Sequence, residues 1–248
     1  MLINLNQLTA CQIEANDGTL GHVKDVYFDD KHWVVRFLKV DTHAWMPLSQ
    51  KVLLSPISVL NVNHQQETIR VGMTKEMIKE CPKPEAHQHV SREFEKKYFD
   101  YFGYQYYWAG ASLWADYAQP SALIERDLVV QVREKTPPKK NEDNHLRSAQ
   151  EIKHYDVIEV DAKKGQVIDF IFDSIDWSVK YLVLDTCSWL PTGKKVLITP
   201  GLIDKMRWSS GTVNCRLSFD ELENCPEFVP DKLNDDNYIN SVDKQLAA

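Results

Sequence analysis

Six aspartates occupy matched places in this chain: Asp25, Asp29 and Asp41, and, 144 positions on, Asp169, Asp173 and Asp185. Carboxylates in sets can bind Ca²⁺ or Mg²⁺ through oxygen, or share proton work as acid and base. They also do something simpler, capping turns and accepting backbone N–H bonds at strand ends. Recurrence favours the simpler role, because a residue that maintains a fold must recur with that fold whereas a site need not. The six are expected to be structural, with no catalytic residue, cofactor or metal. A metal-dependent or acid/base enzyme built on these aspartates is the alternative.

Other reactive side chains give weaker signals. Lys51 and Lys195 recur beside short strands, where a lysine ordinarily discourages edge pairing. His87 and His89 flank Gln88 in a polar stretch without the Cys or acid partners that a zinc site wants. Cys81 and Cys225 each precede a proline and read as small buried apolar groups, with redox activity as the alternative. The five cysteines form no CxxC pair and their count is odd, which fits reduced thiols in the cytoplasm. No phosphate-loop, dinucleotide, nucleophile-elbow or zinc-protease motif is present.

The elements that position these residues come in two copies. Residues 17–82 lie over residues 161–226 without a gap, and 20 of the 66 pairs are identical. A gapless match of this length is one supersecondary unit used twice. Each copy reads as mostly β. Asn16-Asp17-Gly18 is a turn, and a strand follows over His22–Phe28, with broken alternation that predicts a bulge near Asp25. The stretch from Trp33 to Val40 is apolar on both faces, as expected of a strand in a small barrel with something packed outside it. Lys51 to Leu54 and Glu67 to Val71 read as further strands. A short helix over Lys75–Glu80, capped by Thr74, closes the copy; in the second copy Ser218 and Glu221 form a capping box at the same place.

The domain boundaries expected are 1–82 for the first repeat, 83–144 for a connecting segment, 145–230 for the second repeat and 231–248 for a poorly ordered polar tail. The connecting segment holds 11 aromatics between Phe94 and Tyr117 and has no evident counterpart in the repeat. Ser91 caps a helix running to about Phe102. Tyr104, Tyr106, Tyr107, Trp108 and Trp114 are the candidate partner-binding residues, since Tyr and Trp carry much of the energy at interfaces. The competing role for the same block is apolar cover within the chain.

Bulk properties bound the function. The net charge of −7 argues against broad nucleic-acid or anionic-membrane binding, which wants a basic face. The longest uncharged run, Tyr101 to Ala115, falls short of the roughly 20 residues a spanning helix needs. The N-terminus does not read as a signal peptide. A cytoplasmic location is the expectation.

The repeated pattern Gly-x-Val-x-Asp-x-x-Phe-Asp, beginning at Gly21 and again at Gly165, is followed by a Trp, a hydrophobic strand ending in Asp-Thr, and Lys-Val-Leu-x-x-Pro. In that order and spacing it resembles the PRC-barrel domain, found in the cytoplasmic part of the photosynthetic reaction centre H subunit and at the C-terminus of a ribosome maturation factor. The chain is similar to bacterial proteins with two such domains joined by a segment like Val90–Phe94 through Tyr106–Trp108. The resemblance implies a mainly β protein: two small barrels from an internal duplication, each closed by a short helix and joined by an aromatic-rich helical segment. It implies a non-catalytic binding or scaffolding role, docking to a larger protein assembly. A peripheral regulator of photosynthetic or other membrane electron transport is the alternative it suggests. Another protein is the expected partner, a second copy of the chain is an open option, and peripheral membrane docking survives the missing anchor.

Overall fold

The computed structural model describes residues 1–42, 52–84, 90–124, 145–159, 162–186 and 193–247. Lys51, Cys187 and the His87–His89 pair lie outside the described residues, as does the whole stretch 125–144. The chain is mainly β, with two curled seven-stranded sheets of the same strand order.

In the first sheet β2 (Gln12–Ala15), β3 (Gly18–Asp29), β4 (Val34–Asp41) and β5 (Val52–Leu54) pair as antiparallel neighbours. The strand β7 (Thr68–Val71) returns parallel to β2 and carries β6 (Val59–Asn63) on its other side. The second sheet repeats this with β9 (Asp156–Glu159), β10 (Ala162–Asp173), β11 (Val179–Asp185), β12 (Lys195–Ile198), β13 (Ile203–Arg207) and β14 (Thr212–Cys215). Register shifts fall between Val23 and Asp25 and between Val167 and Asp169, so the bulge expected from the broken alternation is present in both sheets.

Two repeated features have a steric cause. Gly21 and Gly165 have φ of +142° and +152°, and a Cβ on Gly21 would stand 1.7 Å from the Asp41 carbonyl oxygen. No L-residue with a side chain fits where the strands approach this closely. Trp33 and Trp177 both sit in the left-handed region, at φ 55° and 60°, ending the turn before β4 and β11. Such a conformation costs roughly 1–2 kcal/mol per non-glycine residue. Trp33 recovers a ring stack on Phe28, with centroids 5.3 Å apart.

The seventh strand of each sheet departs from the expected boundaries. The strand β1 (Leu2–Asn4) pairs with β10, Leu2 opposite Asp173; β8 (Leu146–Ser148) pairs with β3, Leu146 opposite Asp29. Each sheet is completed by the opening strand of the other repeat. The compact units are accordingly interleaved: one holds Gln7–Ser148 and Ser174–Ser178, the other Met1–Asn6, Ala149–Asp173 and Val179–Ala248.

The short helices follow their caps. The helix α1 (Leu5–Ala10) leads into β2. Thr74 accepts from Met77 N at the start of α2 (Lys75–Glu80). The helix α3 (Arg92–Phe102) starts at Ser91, which accepts from Phe94 N, and stops at Gly103 in the left-handed region. In the other repeat α4 (Ala149–Ile152) matches α1, and α5 (Phe219–Glu223) has the expected box of Ser218 with Glu221.

The expected disordered tail is corrected. Residues Asp236–Leu246 form a helix, α6, capped by Asp235, whose side chain accepts from Asn237 N and Tyr238 N. It lies 144 positions after α3, and its cap lies 144 positions after Ser91, so the aromatic segment has a counterpart after all. In the first unit Phe37 of β4 meets Tyr98 and Phe99 of α3 edge-on, at 5.2 and 6.4 Å. In the second, Tyr181 of β11 packs with Val242 and Leu233, and its hydroxyl donates to Asp243. Polar composition hid the tail helix because only one face of it is buried. Among the described residues no helix is long and apolar enough to cross a membrane.

A helix that covers a core and a solvated tail respond differently to one substitution. Val242, 1% exposed, is in the core of the second unit. Val242→Asp is expected to lower the unfolding free energy by about 3 kcal/mol, the scale of an unpaired charge placed in a core; an unchanged denaturation midpoint would return residues 236–246 to a tail.

Candidate functional site

The repeated aspartates are distributed, and most are occupied by the fold. Asp25 Oδ1 accepts from Val26 N at 2.8 Å and its Oδ2 from the Ser148 hydroxyl at 2.6 Å. Asp169 Oδ1 accepts from Phe170 N and Leu5 N at 2.9 and 3.1 Å, and its Oδ2 from Asn6 Nδ2 at 2.8 Å. Each bulge aspartate thus holds the segment that arrives from the other repeat. Burial raises the Asp169 pKa above its ordinary value, against the bonds that its carboxylate accepts. Asp41 is half-buried and pairs with Lys24 at 3.4 Å, and Asp185 ends β11 half-buried. Asp25 and Asp29 are four residues apart on one strand, about 13 Å at the extended rise. Among the described residues no three His, Cys, Asp or Glu side chains form a metal-binding group.

The aromatic candidates are interior. Tyr104, Tyr106, Tyr107 and Trp114 are 0–7% exposed, and Trp108 is half-buried. Their rings pack edge-on or tilted against each other and Phe99, with Tyr106 stacked on Trp108. Cys81 and Cys225 are buried; burial raises both thiols, that of Cys225 to about 11, which leaves them protonated and unreactive. Lys195 is an exposed residue at the start of β12.

What the aromatic block encloses is a cluster of charge in the first unit. Arg36 lies mid-strand on β4, 2% exposed. Its Nη1 donates to the Leu113 carbonyl at 2.6 Å, and its Nη2 stands 3.6 Å from Asp29 Oδ2. The guanidinium lies 3.7 Å over the Tyr107 ring and 4.7 Å from Trp114, the geometry of a cation on an aromatic face. Arg92 and Glu95 share one face of α3 at i,i+3 spacing and pair at 2.5 Å. The Arg92 guanidinium covers Trp108 at 4.2 Å.

Tyr107 links the parts. Its hydroxyl lies 2.9 Å from Arg92 Nη1, 2.9 and 3.1 Å from the Glu95 oxygens, and 2.9 Å from His145 Nε2. A phenol has one proton to give, and Glu95 takes it. His145 must then present Nε2–H to the hydroxyl, an assignment from hydrogen-bond balance. Burial, reinforced by the Glu95 charge, raises the Tyr107 pKa far above its ordinary value, so it stays a neutral donor. Two guanidinium charges oppose two carboxylates, which is how buried charge is tolerated.

Asp29 closes the cluster at the end of β3. Its Oδ1 accepts from Lys31 N at 2.9 Å and His32 N at 3.2 Å, and its Oδ2 lies 3.0 Å from His32 Nδ1. Burial disfavours its charge, but Arg36, His32 and the Lys31 N–H outweigh burial and hold its pKa below the usual carboxylate value. A recess of about 280 Å³ opens here, its lining including Lys31, Arg36, Arg92, Tyr107 and His145.

The matched face of the second unit has a larger recess of about 640 Å³, lined in part by Asp173, Lys180, Tyr181 and Asp243. Asp173 and Lys180 stand 3.8 Å apart, and the lysine is 39% exposed. Ion pairs that wet are worth little, so the smaller, drier recess is the better candidate site despite its size. Sequence reasoning missed Arg36, Arg92, Glu95 and His145. One signal was available: Arg36 interrupts an apolar strand, and Lys180 repeats the charge.

No family model matches the chain, and no curated protein sequence matches it.

Asp25→Asn and Asp169→Asn are each expected to lower stability by about 1–2 kcal/mol, the cost of disturbing a buried, bonded carboxylate. Asp41→Asn, half-exposed, is expected to change it by no more than about 0.5 kcal/mol; denaturant melts of the three variants decide. The lowered Asp29 pKa gives a pH signature. Its contribution is complete above the unfolded carboxylate value of about 3.9 and is lost as pH falls through the lower folded value. Asp29→Asn is therefore expected to melt below the wild type at pH 7, with a gap that closes under acid; a gap constant with pH would show that the charge on Asp29 is immaterial.

Proposed function

We propose that this chain is a two-barrel protein of the PRC-barrel kind, acting without catalysis as a binding or scaffolding module that docks to a larger protein assembly. The observation that carries this reading is the use made of the repeated acids Asp25 and Asp169. Both are spent on hydrogen bonds that hold an incoming strand or its continuation against a curled sheet. An acid so engaged is a part of the scaffold, and its recurrence is explained without a reaction. The repeated strand order supports reading the two sheets as one ancestral unit used twice.

Docking on this reading uses the exterior, since Tyr104, Tyr106, Tyr107 and Trp114 are enclosed. In the first unit Met77 and Tyr101 are both exposed, and the Tyr101 hydroxyl donates to the Met77 carbonyl oxygen at 3.2 Å. The test is affinity capture with the intact chain from extracts of its native cells, read by mass spectrometry, beside Met77→Glu and Tyr101→Glu. A defined assembly that the wild type retains, and that a normally melting variant releases, is the expected result. Retention of no protein above an unrelated acidic control, or turnover of a substrate lost on Asp25→Asn without loss of stability, would overturn the reading.

A further inference from the structure

The junctions between the two repeats support an inference that goes beyond the docking role. They are one junction made twice. The opening strand of each repeat lies on the long strand of the other, in matching register: Leu2 faces Asp173 and Asn4 faces Ile171, while Leu146 faces Asp29 and Ser148 faces Tyr27. Each residue of the first set lies 144 positions from its counterpart in the second. Val34 forms a bridge with Ser178, which is its own counterpart, and Val35 N donates to the Trp177 carbonyl at 2.8 Å. A contact in which i meets j, j meets i and a residue meets its own equivalent is isologous, the pattern of a closed dimer of like subunits. Each of these contacts falls inside one of the two compact units, so both units are assembled from the two halves of the chain, residues 1–124 and 145–248.

The junctions also have the composition of a subunit interface. Ile3, Leu5, Leu146 and Trp177 are 0–2% exposed. Trp114 Nε1 donates to the Asp176 carbonyl at 2.7 Å. A desolvated apolar contact of this kind is what obligate dimers bury, a domain core cut in two. Polar groups then choose the partner. Arg147 Nε donates to Asp30 Oδ2 at 2.8 Å, and His145 Nε2 meets the Tyr107 hydroxyl at 2.9 Å. The counterparts of Arg147 and His145 in the first repeat are Ile3 and Met1, and that of Asp30 is Ser174. A copy of the first half set in the place of the second therefore brings neither the guanidinium for Asp30 nor the imidazole for Tyr107.

We infer that the first half of the chain is an interaction surface for a second repeat, that it holds this partner without a covalent link, and that it selects the second half of this chain over another copy of itself. A covalent connection between the halves adds effective concentration. The junctions supply the contact, and Arg147 and His145 supply the choice.

The test is a protease recognition sequence inserted after Pro138 of the full chain and cut in the folded protein. Size-exclusion chromatography with light scattering follows over a dilution series, repeated in moderate urea if the halves hold throughout. Should the sequence resist cutting, residues 1–138 and 139–248 produced together in one cell give the same two-chain protein. The expected result is one particle with the mass of the uncut chain, containing one fragment of each kind. Arg147→Ile, which installs the side chain of its counterpart, is expected to raise the concentration at which the cut halves part by about five-fold, the scale of one ion pair near the surface. Asp30→Ser makes the same exchange from the other side, with the same expected effect, and serves where Arg147→Ile does not fold. Separation or aggregation of the fragments on cutting, pairs of like fragments, or dilution behaviour unaltered by these substitutions would refute the proposal.

Discussion

Each curled sheet depends on one buried carboxylate at a bulge. The extra residue at a bulge leaves backbone groups without ladder partners, and a short acid placed there can accept from them. Asp25 does so for Val26, and Asp169 for Phe170. The second oxygen of each receives a donor from the segment that arrives from the other repeat. For Asp25 that donor is Ser148 at the end of β8. Pairing of β8 with β3 carries Arg147 to Asp30 and brings His145, whose carbonyl accepts from Asp30 N, to the edge of the sheet. His145 reaches Tyr107 because that strand is in place. The charged cluster is thus downstream of the bulge.

The two units show one architecture solved with two chemistries. On the first, the outer face of β4 is closed by rings: Phe37 against Tyr98 and Phe99, and Arg36 between Tyr107 and Trp114. On the second, Tyr181 replaces Phe37 and gives its hydroxyl to Asp243, which stands where Phe99 stands in the other copy. The accompanying ion pair follows its surroundings. Arg36 is buried with Asp29, while Lys180 is part exposed beside Asp173. Arginine suits the dry site because its planar, weakly hydrated group stacks on aromatic faces, and lysine suits the wet one because its ammonium keeps its water.

The aromatic density of residues 94–117 looks from composition like a sticky surface. In the fold it is the means of keeping two arginines and two acids out of water. Rings supply area without demanding hydrogen bonds, and their faces attract cations, so a block of Tyr, Trp and Phe can bury charge that an aliphatic cover could not. The cost of that arrangement is a set of strict partners, and it is met by the phenol of Tyr107, which joins Arg92, Glu95 and His145 through one oxygen.

The sequence by itself determined what is local or repeated. The offset of 144 positions, the bulge before Asp25, the cap residues Thr74, Ser91 and Ser218, and the helix over residues 92–102 were all legible, because each rests on near neighbours or on self-comparison. The same self-comparison, carried past Pro226, would have found α6, but identity fades there and its polar face dominates the composition. The tertiary structure decided which strand completes which sheet, since β1 and β8 pair across more than a hundred residues and a three-residue strand has no partner written into it. It also decided the candidate site. Arg36, Arg92 and His145 are far apart in the chain, and only burial under the aromatic block turns them from scattered basic residues into one enclosed, charge-balanced group.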